Sequence, residues 1–252
     1  MVLSIIIPCY NEASRGIRDK TLENRLEVLN NSLKELEDYE VIFVSDGSTD
    51  GTEDVISSYI NENCLSNWIS GGYVTNVGKG YAIKWGISLA RGDYILFMDA
   101  DLSSPLDSIA ELVKSMSKDI CIIFSRYLTD SVIKEKRSFV RKCLSKLSRL
   151  ITLPFVPLSI RDTQCGFKLF NRELVLPALN YMVCDKWLFD IELLSYLIKC
   201  GVKVKEIPIT WNNMENESTL KSSSAMFSSF KELVLLCFKH RKLCNIAKIS
   251  HI

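Results

Sequence analysis

At 252 residues and 47% hydrophobic composition, the chain has enough apolar material to pack one sizeable α/β domain, which excludes a disordered polypeptide. The 31 Lys and Arg nearly balance the 30 Asp and Glu, so the electrostatic footprint of a nucleic-acid binder is missing. Nine cysteines, odd in number and without a C-x-x-C pair, exclude a zinc ribbon or a disulfide framework and read as reduced, mostly buried thiols of the cytosol.

Met1 leads directly into Val2-Leu3-Ser4-Ile5-Ile6-Ile7, with no basic n-region or small-residue cleavage site, so no secretory signal is expected. No apolar run reaches the roughly 18 residues that would span a bilayer, so any membrane work is expected at the surface. The strand signals fall at Leu3 to Ile7, Glu40 to Ser45, Tyr94 to Met98 and Asp119 to Ser125, with a further one at Asn67 to Val74 interrupted by Gly71-Gly72. Leu22 to Leu36 and Thr52 to Ile60 carry helical periodicity, the second entered through the turn and cap residues Asp50-Gly51-Thr52. This alternation predicts an α/β fold with a mostly parallel sheet flanked by helices. There is no internal repeat, and the polar stretch Asn212 to Ser224 reads as a loop.

Ligands of open α/β sheets bind at the carboxyl ends of the strands, and polar residues gather there. Pro8-Cys9-Tyr10-Asn11-Glu12 follows the first strand and Ser45-Asp46-Gly47-Ser48-Thr49-Asp50 follows the second. Asp46 is placed to accept from a uracil N–H or a ribose hydroxyl and Tyr10 to pack on the base, although Asp-Gly-Ser is also ordinary turn chemistry. The strand Tyr94 to Met98 runs into Asp99-Ala100-Asp101, where alternate residues of an extended chain point to one side. Two converging carboxylates repel unless a cation lies between them. Mg²⁺ or Mn²⁺ suits the position, because such ions take oxygen ligands and complete their shells with water and substrate phosphates. Lys79 and Gly80 sit where a cationic and a backbone-donor contact reach a nucleotide, and a plain helix N-terminus explains Gly-Lys-Gly almost as well.

Two later segments combine charge with apolar periodicity. From Val132 to Ile151, Lys134, Lys136, Arg137, Arg141, Lys142, Lys146 and Arg149 face the single acid Glu135, with Ile133, Val140, Leu144, Leu147 and Ile151 at helical spacing. The pattern suits either an anionic membrane surface or a solvated helix covering the core. From Met226 to Leu243 an apolar stretch ends in Lys239-His240-Arg241-Lys242, which again reads as an interfacial helix or as a core-packing terminal helix.

The motifs together resemble the family 2 glycosyltransferases of GT-A fold, and within them the polyprenyl-phosphate hexosyltransferases of the dolichyl-phosphate β-glucosyltransferase branch. The resemblance rests on Ser4 to Glu12, Val44 to Asp50, Asn76-Val77-Gly78-Lys79-Gly80 with Ala82 and Gly86, Arg91-Gly92-Asp93 and the Asp-x-Asp, covering roughly residues 3 to 221. Ile160 to Phe170, Trp187 to Leu194 and Glu206 to Trp211 carry it through the acceptor half. It implies a catalytic domain over residues 1–215, with a nucleotide-sugar half at 1–105 and an acceptor half at 106–215. Residues 216–252 then form a polar loop and an amphipathic helix. It implies an inverting transfer of a hexose from a UDP-sugar, glucose above all, to a dolichyl or polyprenyl phosphate at the cytoplasmic membrane face. The donor would contact Pro8, Tyr10, Asn11, Glu12, Asp46, Ser48, Lys79, Gly80, Asp99, Ala100 and Asp101. Asp101 would ligate the metal directly and Asp99 would hold it through water or contact the ribose. Arg126, Arg137, Arg141 and Lys221 would hold the acceptor phosphate. Asp162 and Gln164 would line the sugar pocket, Asp162 being equally suited to a buried pair with Arg161 or another base. Alternatives are GDP-mannose as donor, or a glycan or protein hydroxyl as acceptor, for which Asp190 or Glu192 would serve as base.

Overall fold

Strand β1 (Leu3–Cys9) is apolar at nearly every position because both faces of it are covered. Leu3, Ile5, Ile7 and Cys9 enter one core cluster, whereas Ile6 enters the other. The computed structural model that reveals this describes residues 2–15, 21–102, 105–133, 152–211 and 231–237.

Helix α1 (Leu22–Ser32) starts at Thr21, whose side chain accepts from the Asn24 N–H, and buries Leu22, Leu26 and Leu29 on one stripe. It stops short of the predicted Leu36, because Leu33 closes the last turn onto the Leu29 and Asn30 carbonyls. There follow β2 (Tyr39–Asp46), α2 (Thr52–Glu62), β3 (Trp68–Tyr73) and α3 (Lys79–Leu89). Gly71-Gly72 lies within β3 rather than breaking it: a Cβ on Gly72 would come within 2.2 Å of the Ser45 carbonyl oxygen, so the close approach of β2 requires glycine. Beyond β4 (Tyr94–Met98) lie α4 (Ile109–Lys114), β5 (Ile120–Ser125) and β6 (Val132–Ile133). The second half adds β7 (Phe167–Asn171), α5 (Arg172–Leu179), α6 (Phe189–Lys199), β8 (Lys203–Pro208) and β9 (Thr210–Trp211).

Seven strands form one sheet in the order β3-β2-β1-β4-β7-β5-β8. It is parallel except at β7, which runs antiparallel to both neighbours. The mostly parallel α/β sheet predicted from the alternation is therefore present, and α1 and α4 cover one face while α3, α5 and α6 cover the other. One prediction is corrected here. Val132 and Ile133, expected to open a basic helix, instead pair with Thr210 and Trp211 in a separate two-stranded ribbon. The rest of that basic segment, with Arg137 and Arg141, lies outside the described residues, as do the Asn212 to Ser224 loop, Lys221 and the cluster from Lys239 to Lys242.

Residues 231–237 are helical. Leu236 enters the core beside α6, while Val234 and Leu235 are exposed on the opposite side. Among the described residues no helix is long and apolar enough to cross a membrane. Of the seven described cysteines, Cys9, Cys121, Cys165 and Cys184 are buried and Cys64, Cys200 and Cys237 exposed, all of them free thiols.

Candidate functional site

Because β1, β2 and β4 are parallel neighbours, their carboxyl ends deliver three polar segments to one edge of the sheet. The first two are stitched together. The Asn11 N–H donates to Ser48 Oγ at 3.1 Å and Asn11 Oδ1 accepts from the Thr49 N–H at 2.8 Å. Asn11 holds a left-handed backbone with φ of 52°, a conformation asparagine tolerates better than most residues. Thr52 Oγ1 accepts from the N–H groups of Glu12 and Ala13, and Asp50 accepts from Ser14 N–H and from Thr52. Burial opposes the charge on Asp50, but these hydrogen bonds hold its carboxyl below its ordinary range.

Pro8 sits half-buried at the end of β1 and Tyr10 is 44% exposed, open to a flat partner. Asp46 is buried and spends its carboxylate on the protein: Oδ1 accepts from Val77 N–H at 2.8 Å and Gly78 N–H at 3.1 Å, Oδ2 from Asn76 Nδ2 at 3.0 Å. It thereby fixes the turn into α3. Glu12 is likewise buried, accepting from Arg15 and Arg25 at 2.9 and 2.8 Å. The Gly80 N–H, expected to face a nucleotide, donates to the Lys186 carbonyl at 3.2 Å, so α3 begins against the loop preceding α6.

That start of α3 places Lys79 beside the Asp-x-Asp. Its Nζ lies 2.5 Å from Asp99 Oδ1 and over the rings of Phe97 and Phe189. Burial opposes its charge, but Asp99, Asp190 and Asp101 raise its pKa above the usual lysine value. On the other side of Asp99 stands Gly166: a Cβ there would lie 1.8 Å from Asp99 Oδ2, so only glycine lets the turn before β7 close on this carboxylate. The Asp99 N–H donates to the Gly166 carbonyl at 3.1 Å, locking the two segments. No group of three or more His, Cys, Asp and Glu able to hold a metal occurs among the described residues.

Arg126 leaves the end of β5 and meets Asp162 in a forked ion pair, Nε to Oδ2 at 2.6 Å and Nη2 to Oδ1 at 2.8 Å. Of the readings given for Asp162, lining a sugar pocket or a buried pair with Arg161 or another base, the structure shows a buried pair, made with Arg126. The Arg161 and Asp162 N–H groups donate to the two oxygens of Glu206 on β8, at 2.8 and 2.9 Å. Gln164 is exposed in the same turn. Asp190 is buried against Lys168, itself fully buried on β7 and donating to the Cys165 carbonyl at 2.7 Å. Burial pushes the Asp190 carboxyl up against the pull of Lys168 and Lys79. Glu192 accepts from the N–H groups of Val183 and Cys184 and so closes the loop before its own helix.

Sequence reasoning missed Arg25, Asn76, Glu206 and Glu232. Asn76 and Glu206 stand inside quoted motifs, so position was the available signal. Arg25 and Glu232 carry none, since a single charge on an amphipathic helix usually faces water.

A parallel sheet with its polar loops and an acidic pair at the carboxyl edge is the architecture of a nucleotide-sugar transferase of GT-A fold. The sequence matches the family described as glycosyl transferase family 2 over residues 4–176, and the chain belongs to that family of enzymes. It is 33% identical to a dolichyl-phosphate beta-glucosyltransferase of Dictyostelium discoideum, over 98% of this chain and 77% of the relative. Against the protein of that name from Saccharomyces cerevisiae it is 30% identical, over 93% and 73%. Among solved structures, glucosyl-3-phosphoglycerate synthase from Mycobacterium tuberculosis in complex with uridine diphosphate shares the fold, with a TM-score of 0.63, 18% identity and coverage of 94% and 80%. A mannosyltransferase from Pyrobaculum calidifontis in complex with GDP-mannose and Mn²⁺ does so with a TM-score of 0.57, 19% identity and coverage of 84% and 56%.

Proposed function

We propose that this enzyme transfers glucose from UDP-glucose to dolichyl phosphate or a related polyprenyl phosphate, with inversion, at the cytoplasmic face of a membrane. The observation that carries the reading is the segment before β7, in which Asp162 pairs with Arg126 and Gly166 closes on Asp99, the partner of Lys79. The names of the curated relatives support the acceptor and the sugar.

In this reading Asp101 and Asp99 would hold Mg²⁺ or Mn²⁺, which would supply positive charge against that developing on departing UDP. Tyr10 packs on the base and the Asn11 to Ser48 link keeps its loop in place. Lys79 reaches the diphosphate. Arg126, held flat by Asp162, orients the acceptor phosphate and screens its repulsion from the donor. Gln164 reaches the sugar. A phosphate monoester, with a second pKa of about 6, arrives already ionised and needs no strong base. The commitment of Asp190 to Lys168, and of Glu192 to backbone N–H groups, fits such an acceptor better than a hydroxyl.

The test is to incubate the protein with labelled UDP-glucose or GDP-mannose and dolichyl phosphate, then count label in the organic phase. Label should come from UDP-glucose and vanish with chelator and with Asp101→Ala. Label from GDP-mannose alone would overturn the sugar assignment.

A further inference from the structure

Arg25 projects from α1, yet it is 3% exposed and reaches two segments of the donor edge at once. Its Nη2 donates to the Glu12 carbonyl at 2.6 Å, and its Nη1 to Glu12 Oε2 at 2.8 Å and to the Ala100 carbonyl at 2.9 Å. Ala100 is the residue between the two aspartates, so its peptide plane sets the angle at which Asp99 and Asp101 diverge. The turn has one internal bond, from Leu102 N–H to the Asp99 carbonyl at 3.1 Å, and Leu102 holds it at a φ of 51°, a region costly for a bulky side chain. The guanidinium acts from a rigid base, because Leu22, Leu26 and Leu29 anchor α1 in the core.

We propose that Arg25 is a positioning residue for the Asp-x-Asp, fixing the Ala100 peptide against the Tyr10–Glu12 loop so that both carboxylates meet the cation and the nucleotide in one geometry. The inference rests on the donor reading above. A planar fork is required for the task. A lysine at the same place offers a point charge that serves Glu12 or Ala100 but not the set. Loss of groups that orient metal ligands through a hydrogen bond commonly weakens metal affinity or activity by about 10- to 100-fold.

The experiment compares wild type, Arg25→Lys, Arg25→Gln and Leu29→Val, the last loosening the same helix without touching the edge. UDP binding is measured by calorimetry across a Mn²⁺ titration, with thermal midpoints alongside. Arg25→Lys and Arg25→Gln should weaken Mn²⁺-dependent UDP binding by about 10- to 100-fold. Leu29→Val should lower the midpoint and leave that binding within about twofold of wild type. Wild-type affinity in Arg25→Lys and Arg25→Gln, or an equal fall in Leu29→Val, would overturn the positioning role alone. A wild-type chain that binds UDP no better with Mn²⁺ than with chelator would overturn the donor reading and this inference together.

Discussion

Asp162 carries a negative charge that is 2% exposed, so its energetics depend on Arg126. Burial raises the carboxyl, but the guanidinium beside it and its hydrogen bonds hold it below the ordinary aspartate value. A depressed folded pKa contributes stability that is fully present above the unfolded value of about 3.9 and is lost as pH falls through the folded value. Asp162→Asn should therefore cost about 3–5 kcal/mol in denaturant unfolding at neutral pH, the usual penalty for stranding one partner of a buried pair. The gap between variant and wild type should narrow only below about pH 4. A gap unchanged down to about pH 2 would show that the ion pair is not its source. Lys79 stands in the opposite situation, an ammonium kept charged by Asp99, Asp190 and Asp101 despite burial. Lys79→Met should raise the KM for the nucleotide sugar roughly ten- to hundredfold, the worth of one charged hydrogen bond of about 1.5–3 kcal/mol. An unchanged donor KM would place the ammonium off the diphosphate.

Helix α6 has no side-chain cap of its own at Leu188. The loop that leads into it is instead held from far along the chain by Glu232, which accepts from the N–H groups of Lys186 at 2.6 Å, Trp187 at 3.1 Å and Leu188 at 3.2 Å. The same loop accepts from the N–H groups of Gly80 and Tyr81, so the starts of α3 and α6 are held by one strip of backbone. Glu232→Ala should cost about 1–3 kcal/mol, because three backbone donors, that of Leu188 buried, lose an acceptor. Hydrogen exchange should quicken at residues 186–188 before it does in β1. Uniform quickening across the whole sheet would mean that Glu232 acts on global stability and not on the loop before α6.

At the scale of the molecule, the helical residues 231–237 present two faces. Leu236 is sealed into the core, and Val234 and Leu235 are exposed, with the basic run of the sequence starting at Lys239. An acceptor whose hydrocarbon stays in the bilayer requires its enzyme at headgroup level. Anionic liposomes should bind the protein in a salt-sensitive manner, and neutralising Lys239, Arg241 and Lys242 together should weaken that binding while UDP affinity stays unchanged. Equal liposome binding by the triple variant would assign the segment to core packing alone.

The strands β1 to β4, the helices α1 and α2 between the first three of them and the placing of Asp99 and Asp101 at a strand end were legible in the sequence. Those features are local: hydrophobic period, turn chemistry and strand alternation act over a few residues. The insertion of β7 antiparallel between β4 and β5 was not legible, since strand pairing is decided by long-range packing, although Gly166 needs that pairing to sit against Asp99. Nor was the partner of Asp162 legible, because Arg126 lies 36 residues away and the neighbouring Arg161 is just as basic. By itself the sequence determined which chemistry gathers at the edge of the sheet. Only the tertiary structure decided that Asp46, Glu12 and Arg25 among those charges are used up in holding the edge together. A buried polar group takes whatever partner the fold brings to it, however distant in the chain.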